Sequence, residues 1–225
     1  MQLAGSSSWR LGTDSAQFLH IGLFVRDATG LTVPSSADIP PRLAGDVPDL
    51  SAVLPGSDRA AAAAQWVIWW RRLLGHAVHE DRRRGQERGQ ERGQDAMTRA
   101  RAMAEREQEI FDPPEFRSLA DTPALRSAVV ATFDDAVAWT NRPGRGGQQE
   151  HGLFAWRLIR DTAESTAAEL GIPVGDLDAV VHVLNVAGSW SHLAGPGCGI
   201  CSVTMPDDPQ AARLLLHDVF ASGPG

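Results

Sequence analysis

The chain contains no lysine and no tyrosine, and only two cysteines. Without Lys there is no Schiff-base or pyridoxal-phosphate chemistry, no phosphate-loop lysine and no protein-kinase lysine. Without Tyr, tyrosine acid–base schemes fall away too. Two cysteines in 225 residues make no disulfide framework, which points to a cytoplasmic protein. No apolar run approaches the ~18 residues of a membrane span. The opening MQLAGSSSWRLGTDS lacks the basic and then apolar regions of a secretory signal. All 21 basic residues are Arg against 28 Asp and Glu, a net charge of −7 that argues against nucleic acid as the main partner.

What remains is an ordinary globular composition, 43% hydrophobic and 22% charged. Residues 1–57 are poorly periodic. The apolar stretch at 18–25 reads as a strand or one or two helical turns, and Pro34, Pro40, Pro41, Pro48 and Pro55 then forbid long regular structure. This part is expected to be a Pro-rich arm, either wrapping a domain or mobile. Residues 58–225 are expected to form a single α+β domain interrupted by a flexible insert at 84–95.

Ser57 and Asp58 are suited to cap a helix over about 59–81, whose wide apolar face carries Trp66, Val67, Trp70, Leu73, Leu74, Ala77 and Val78. The RGQE-RGQE-RGQD repeat follows. Its glycines each cost a helix about 1 kcal/mol relative to Ala, and no apolar side chain compensates, so it reads as a solvated linker. Further helices are expected over 96–111, over 122–140 with Pro123 at its first position, and over 149–170, stopped by Gly171 and Pro173 and burying Leu153, Trp156, Leu158, Ile159 and Ala163. Near the C-terminus, 179–187 and 202–205 are β-like, with a middle strand at 190–193 and a turn at 194–197. Asp207 or Asp208 caps a final helix. The whole reads as an α+β, mainly α-helical protein, with four or five helices, a small C-terminal antiparallel β-meander and a C-terminal helix packed on it.

The sharpest chemical candidate is a zinc site made of His182, His192, Cys198 and Cys201, because a Gly-rich CxxC loop with His nearby has the right ligand types. A competing reading comes from the same residues. With 194–197 as a four-residue hairpin loop, Leu193 faces Cys198 and Trp190 faces Cys201. Cys201 then shares a core face with His192, and Cys198 lies near the turn on the other face. Weaker candidates are His76, His79 and Glu80 on the Trp-rich helix, and the 141–147 glycine loop with Arg142 and Arg145 as an anion site. Ser189 and Ser191 beside His192 lack any triad pattern.

No complete catalytic motif occurs, and seven Trp sit on a modest chain. The favoured function is a non-catalytic cytoplasmic binding or assembly protein, with another protein or self-association as its partner. The alternative is a zinc enzyme or zinc-stabilised domain centred on His192, Cys198 and Cys201.

Overall fold

The computed structural model describes residues 9–14, 16–87, 111–142 and 154–223. The chain groups into two compact units: a helical one, residues 17–35 and 45–141, and a sheet-bearing one, residues 1–16, 36–44 and 142–225. Residues 1–57 are thus divided between the two.

In the helical unit, α1 (Gln17–Ala28) is buried almost throughout, from Leu19 to Val25 without a break. A sequence that is apolar on all sides shows neither helical nor strand periodicity, which is why it reads ambiguously. α2 (Arg59–Glu87) lays Trp66, Trp70, Leu73 and Ala77 into the core. It outlasts its expected end near 81 and takes in the first RGQE unit. Arg, Gln and Glu are good helix formers, and one glycine in an already nucleated helix costs only about 1 kcal/mol. Residues 88–95 of the repeat lie outside the described residues, as does the helix expected over 96–111 except for Phe111, which is helical and buried.

α1 and α2 meet closely at Gly22, where a Cβ would sit 2.8 Å from Leu73 Cδ1. The Trp66 indole N–H donates to the Gly22 carbonyl at 2.8 Å, and Trp66 stacks on Trp70 with centroids 5.4 Å apart. α3 (Pro123–Thr140) begins with Pro at its first position, as the sequence predicts. The Gln65 side chain of α2 accepts the Leu125 N–H at 2.9 Å, satisfying a first-turn donor that has no partner within its own helix. Trp139 tilts against Phe24 and donates to the Asp46 carbonyl at 3.1 Å.

In the other unit, β1 (Arg10–Asp14), β2 (Asp178–Leu184), β3 (Ser191–Gly195) and β4 (Cys198–Ser202) form one sheet in the order β1-β2-β4-β3. β1 runs parallel to β2 and β2 parallel to β4; only β3 and β4 are antiparallel. The expected antiparallel meander is therefore corrected to a mixed sheet. β4, not β3, takes the place beside β2, because β4 is buried along its whole length and belongs in the centre, whereas β3 is half exposed and belongs at an edge. The strand expected at 202–205 is replaced by a turn and one 3-10 turn (Met205–Asp207). Leu43 makes an isolated antiparallel bridge to Val186 just past the end of β2.

α4 (Trp156–Leu170) and α5 (Pro209–Ser222) pack on one face of this sheet. α4 ends in a Schellman motif: Gly171 has φ +67°, and the Ile172 N–H reaches the Ala167 carbonyl. Asp208 caps α5, its carboxylate accepting from Gln210 and Ala211, as expected. Ala179, Val181 and Cys201 from the sheet meet Ala163 and Ala167 of α4 and Ala212, Leu215 and Val219 of α5. Gly199 permits the approach of α5, since a Cβ there would lie 2.6 Å from Val219 Cγ2.

Candidate functional site

The β3–β4 hairpin carries the residues singled out from the sequence. Its loop is the tight Pro196-Gly197 turn, with Gly197 at φ +73°, rather than four residues. His192 pairs with Ile200 and Ser191 with Cys201, and the ladder is irregular between Leu193 and Gly195. Relative to the expected pairing, the register has slipped by one residue. A slip of one moves side chains to the opposite face. His192 therefore shares its face with Ile200, Cys198 and Ser202, not with Cys201.

Cys201 is on the helix-covered face, as expected, and burial pushes its thiol up to about 12. Cys198 departs from expectation: it is as buried as Cys201 although it adjoins the turn. Three residues apart on an extended strand, the two Cα atoms are separated by roughly 10 Å. A disulfide needs at most about 7 Å, so this CxxC is not a redox pair in the folded chain.

His182 lies on the same face as His192. Both are in register with Ile200, which stands between them, and His182 is only 2% exposed. His192 is half-buried against Trp190, with ring centroids 6.1 Å apart. Burial lowers its pKa and so favours the neutral ring, opposed by the negative charge of Asp38. Trp190 is held to β4 by two bonds: its N–H donates to Ser202 Oγ at 3.0 Å, and its carbonyl accepts the Ser202 N–H at 2.8 Å. Thus His182, His192 and Cys198 share a face and Cys201 does not. Among the described residues, no three His, Cys, Asp or Glu side chains gather at metal-binding separation.

The weaker candidates separate in the same way. His76 meets Phe18 edge-on at 5.4 Å, His79 is exposed, and the Glu80 side chain is outside what is described. Ser191 and His192 are neighbours on a strand and so face opposite ways. Of the 141–147 loop, residues 143–147 lie outside the described residues.

Two features escaped the sequence reading. The first is a buried ion pair. Arg26 and Asp27 of α1, each side chain 4% exposed, bond at 2.7 Å and 3.0 Å, with the guanidinium 5.4 Å from the Trp66 ring centroid. Adjacent opposite charges normally mark a helix surface, and no pattern signals otherwise.

The second is an exposed aromatic pair. Trp156, expected in a buried face, is 66% exposed and lies 4.8 Å from Trp9. Trp9 in turn contacts Phe220 of the core edge-on at 6.3 Å. As the first residue of α4, Trp156 stands at the helix end, outside the stripe of Ile159, Ala163 and Ala167 that faces the sheet. The one available signal was a Trp directly before β1, a strand too short and too polar to show alternation.

No helix among the described residues is long and apolar enough to cross a membrane. Compared with protein-family models, with curated proteins and with solved structures, the chain matches none.

Proposed function

We propose that the chain is a non-catalytic binding or assembly protein, working in the cytoplasm, that engages a protein partner through the Trp9–Trp156 surface beside β1. The observation that carries this reading is Trp156, an indole two-thirds exposed and already seated on a second Trp that is anchored in the core. Isolated exposed apolar residues are common and need no explanation. A pre-positioned aromatic pair is different, because it offers a large rigid contact area at little loss of side-chain freedom, and Trp is enriched among the residues that dominate interfaces. The arrangement around the hairpin supports the non-catalytic part. The Cys201 thiol is held neutral, Ser191 and His192 face apart, and neither cysteine is in a disulfide, as suits a reducing compartment.

A photo-crosslinking amino acid at position 156, introduced in living cells, tests the reading. The expected result is one dominant protein adduct, with Trp156→Ala leaving the melting temperature almost unchanged. Absence of any protein adduct would overturn it.

A further inference from the structure

We infer that the partner at this surface is a second copy of the same chain, joined through antiparallel pairing of β1 with β1 about Gly12. The inference rests on the assembly reading and specifies its occupant.

β1 is an edge of the sheet, and among the described residues it pairs only with β2. The Arg10 N–H donates to the Leu177 carbonyl at 2.9 Å, so the backbone groups of Arg10, and by alternation those of Gly12 and Asp14, are directed at β2. Those of Leu11 and Thr13 are directed outward. An antiparallel two-fold axis through Gly12 sets Leu11 of each copy opposite Thr13 of the other. Each such pair exchanges both N–H···O bonds, so every outward group of these two residues is used.

The same register places Gly12 against Gly12 at a non-hydrogen-bonded position, where the strands approach closest and absence of a Cβ helps. It also sets position 10 of each copy in register with position 14 of the other, a basic residue with an acidic one in the sequence. RLGTD is therefore self-complementary in charge and in hydrogen-bonding phase. Trp9 immediately precedes the strand, so its pair with Trp156 flanks the joint and adds apolar area to it.

The other edge, β3, lacks these properties. Its ladder is irregular between Leu193 and Gly195, and an irregular edge is a poor template for another strand. The product is an isologous dimer in which two four-stranded sheets become one continuous sheet.

Analytical ultracentrifugation of the full chain over a concentration series tests this. The wild type should dimerise with a dissociation constant on the order of micromolar, as befits a small interface. Thr13→Pro removes an outward N–H without touching the β2 ladder and should weaken the dimer ~100-fold with the fold retained by circular dichroism. Arg10→Asp should weaken it ~10-fold, and adding Asp14→Arg should restore it. The inference is overturned by a wild type that stays monomeric at its highest soluble concentration, or by a dimer indifferent to both Thr13→Pro and the charge exchange. If the wild type is monomeric while position 156 crosslinks to a different protein, the strand pairing falls and the assembly reading stands. If the dimer responds to the β1 variants while position 156 yields no adduct, the pairing stands and the role of Trp156 falls.

Discussion

The helical unit and the sheet-bearing unit fill their cores with different proportions of large rings and small residues. The first is filled by large rings, Trp66, Trp70, Trp139, Phe24 and Phe111, and it takes polar groups inside with their partners: indole N–H groups on backbone carbonyls, and Arg26 on Asp27. The second closes on small residues, with Ala163, Ala167, Ala179 and Ala212 between sheet and helices and Gly199 under Val219. Large rings can be arranged around a buried polar group, whereas the sheet–helix layer, although it also buries Phe154 and Phe220, is tightest where Ala and Gly stand between strand and helix. The helical unit should therefore suffer most from removing atoms, and the sheet-bearing unit from adding them.

The largest expected effects test the first half of that contrast. Trp70→Ala should destabilise by about 3–5 kcal/mol in denaturant unfolding, because a stacked ring leaves a cavity its neighbours cannot close. Asp27→Ala should cost a similar ~3–5 kcal/mol by removing the carboxylate that the buried Arg26 guanidinium bonds twice. A loss below about 1 kcal/mol for either variant would mean that the helical core relaxes and that the contrast is false.

The second half rests on Gly199. Gly199→Ala should destabilise by about 1–3 kcal/mol, since its new methyl meets the branched Val219 side chain, which cannot swing away. Restoring stability with a second change, Val219→Ala, would sharpen the point and show that crowding, not backbone freedom, is the cause.

Thiol chemistry probes the two faces of β4 more gently. Cys198 and Cys201 should both be protected from a thiol reagent in the native protein and react together on unfolding, and a chelator should change nothing. Rapid modification of Cys198 alone would show that the turn end of β4 opens. Cys201→Ser, which puts a hydroxyl among Val181, Met205 and Leu215, should cost about 1–3 kcal/mol.

The smallest effect is electrostatic. His217 joins α5 to α4 by a 3.1 Å contact to Glu169 and lies 3.3 Å from Asp218; hydrogen bonding to Glu169 first, then to Asp218, raises its pKa above the ordinary 6.5. A raised folded-state pKa means that its contribution is fully present below the unfolded value and is lost as pH rises through the folded one. Because the pair is solvent-exposed, the gain should stay below about 1 kcal/mol. His217→Gln should remove the corresponding slope in a pH series of melting temperatures.

Much of the helical architecture was legible. Trp66, Trp70, Leu73 and Ala77 recur at helical spacing and are buried, Pro123 opens α3, Asp208 caps α5, and Gly171 ends α4. These signals are local, each depending on side chains within one or two turns. The sheet was legible only as strand positions near the C-terminus. β1 contributes one apolar residue in five, and its partner β2 is more than 160 residues away, so neither its existence nor its parallel pairing leaves a pattern in the chain. The candidate site depended on the hairpin register, and that turned on loop length. A two-residue turn and an irregularity near Ala194 shift His192 to the other face from Cys201.

The sequence by itself determined that α2, α3, α4 and α5 are helical and placed the Pro123 start and the Asp208 cap, because periodicity and capping act through neighbours along the chain. Tertiary structure alone decided that α1 buries Arg26 with Asp27, that Cys198 is as enclosed as Cys201, that Trp156 remains exposed, and that β1 occupies a sheet edge. Each of those outcomes depends on what lies across from a residue rather than beside it. Strand order, register and burial are set by the competition of all segments for the same limited core, and no single stretch of chain carries that information.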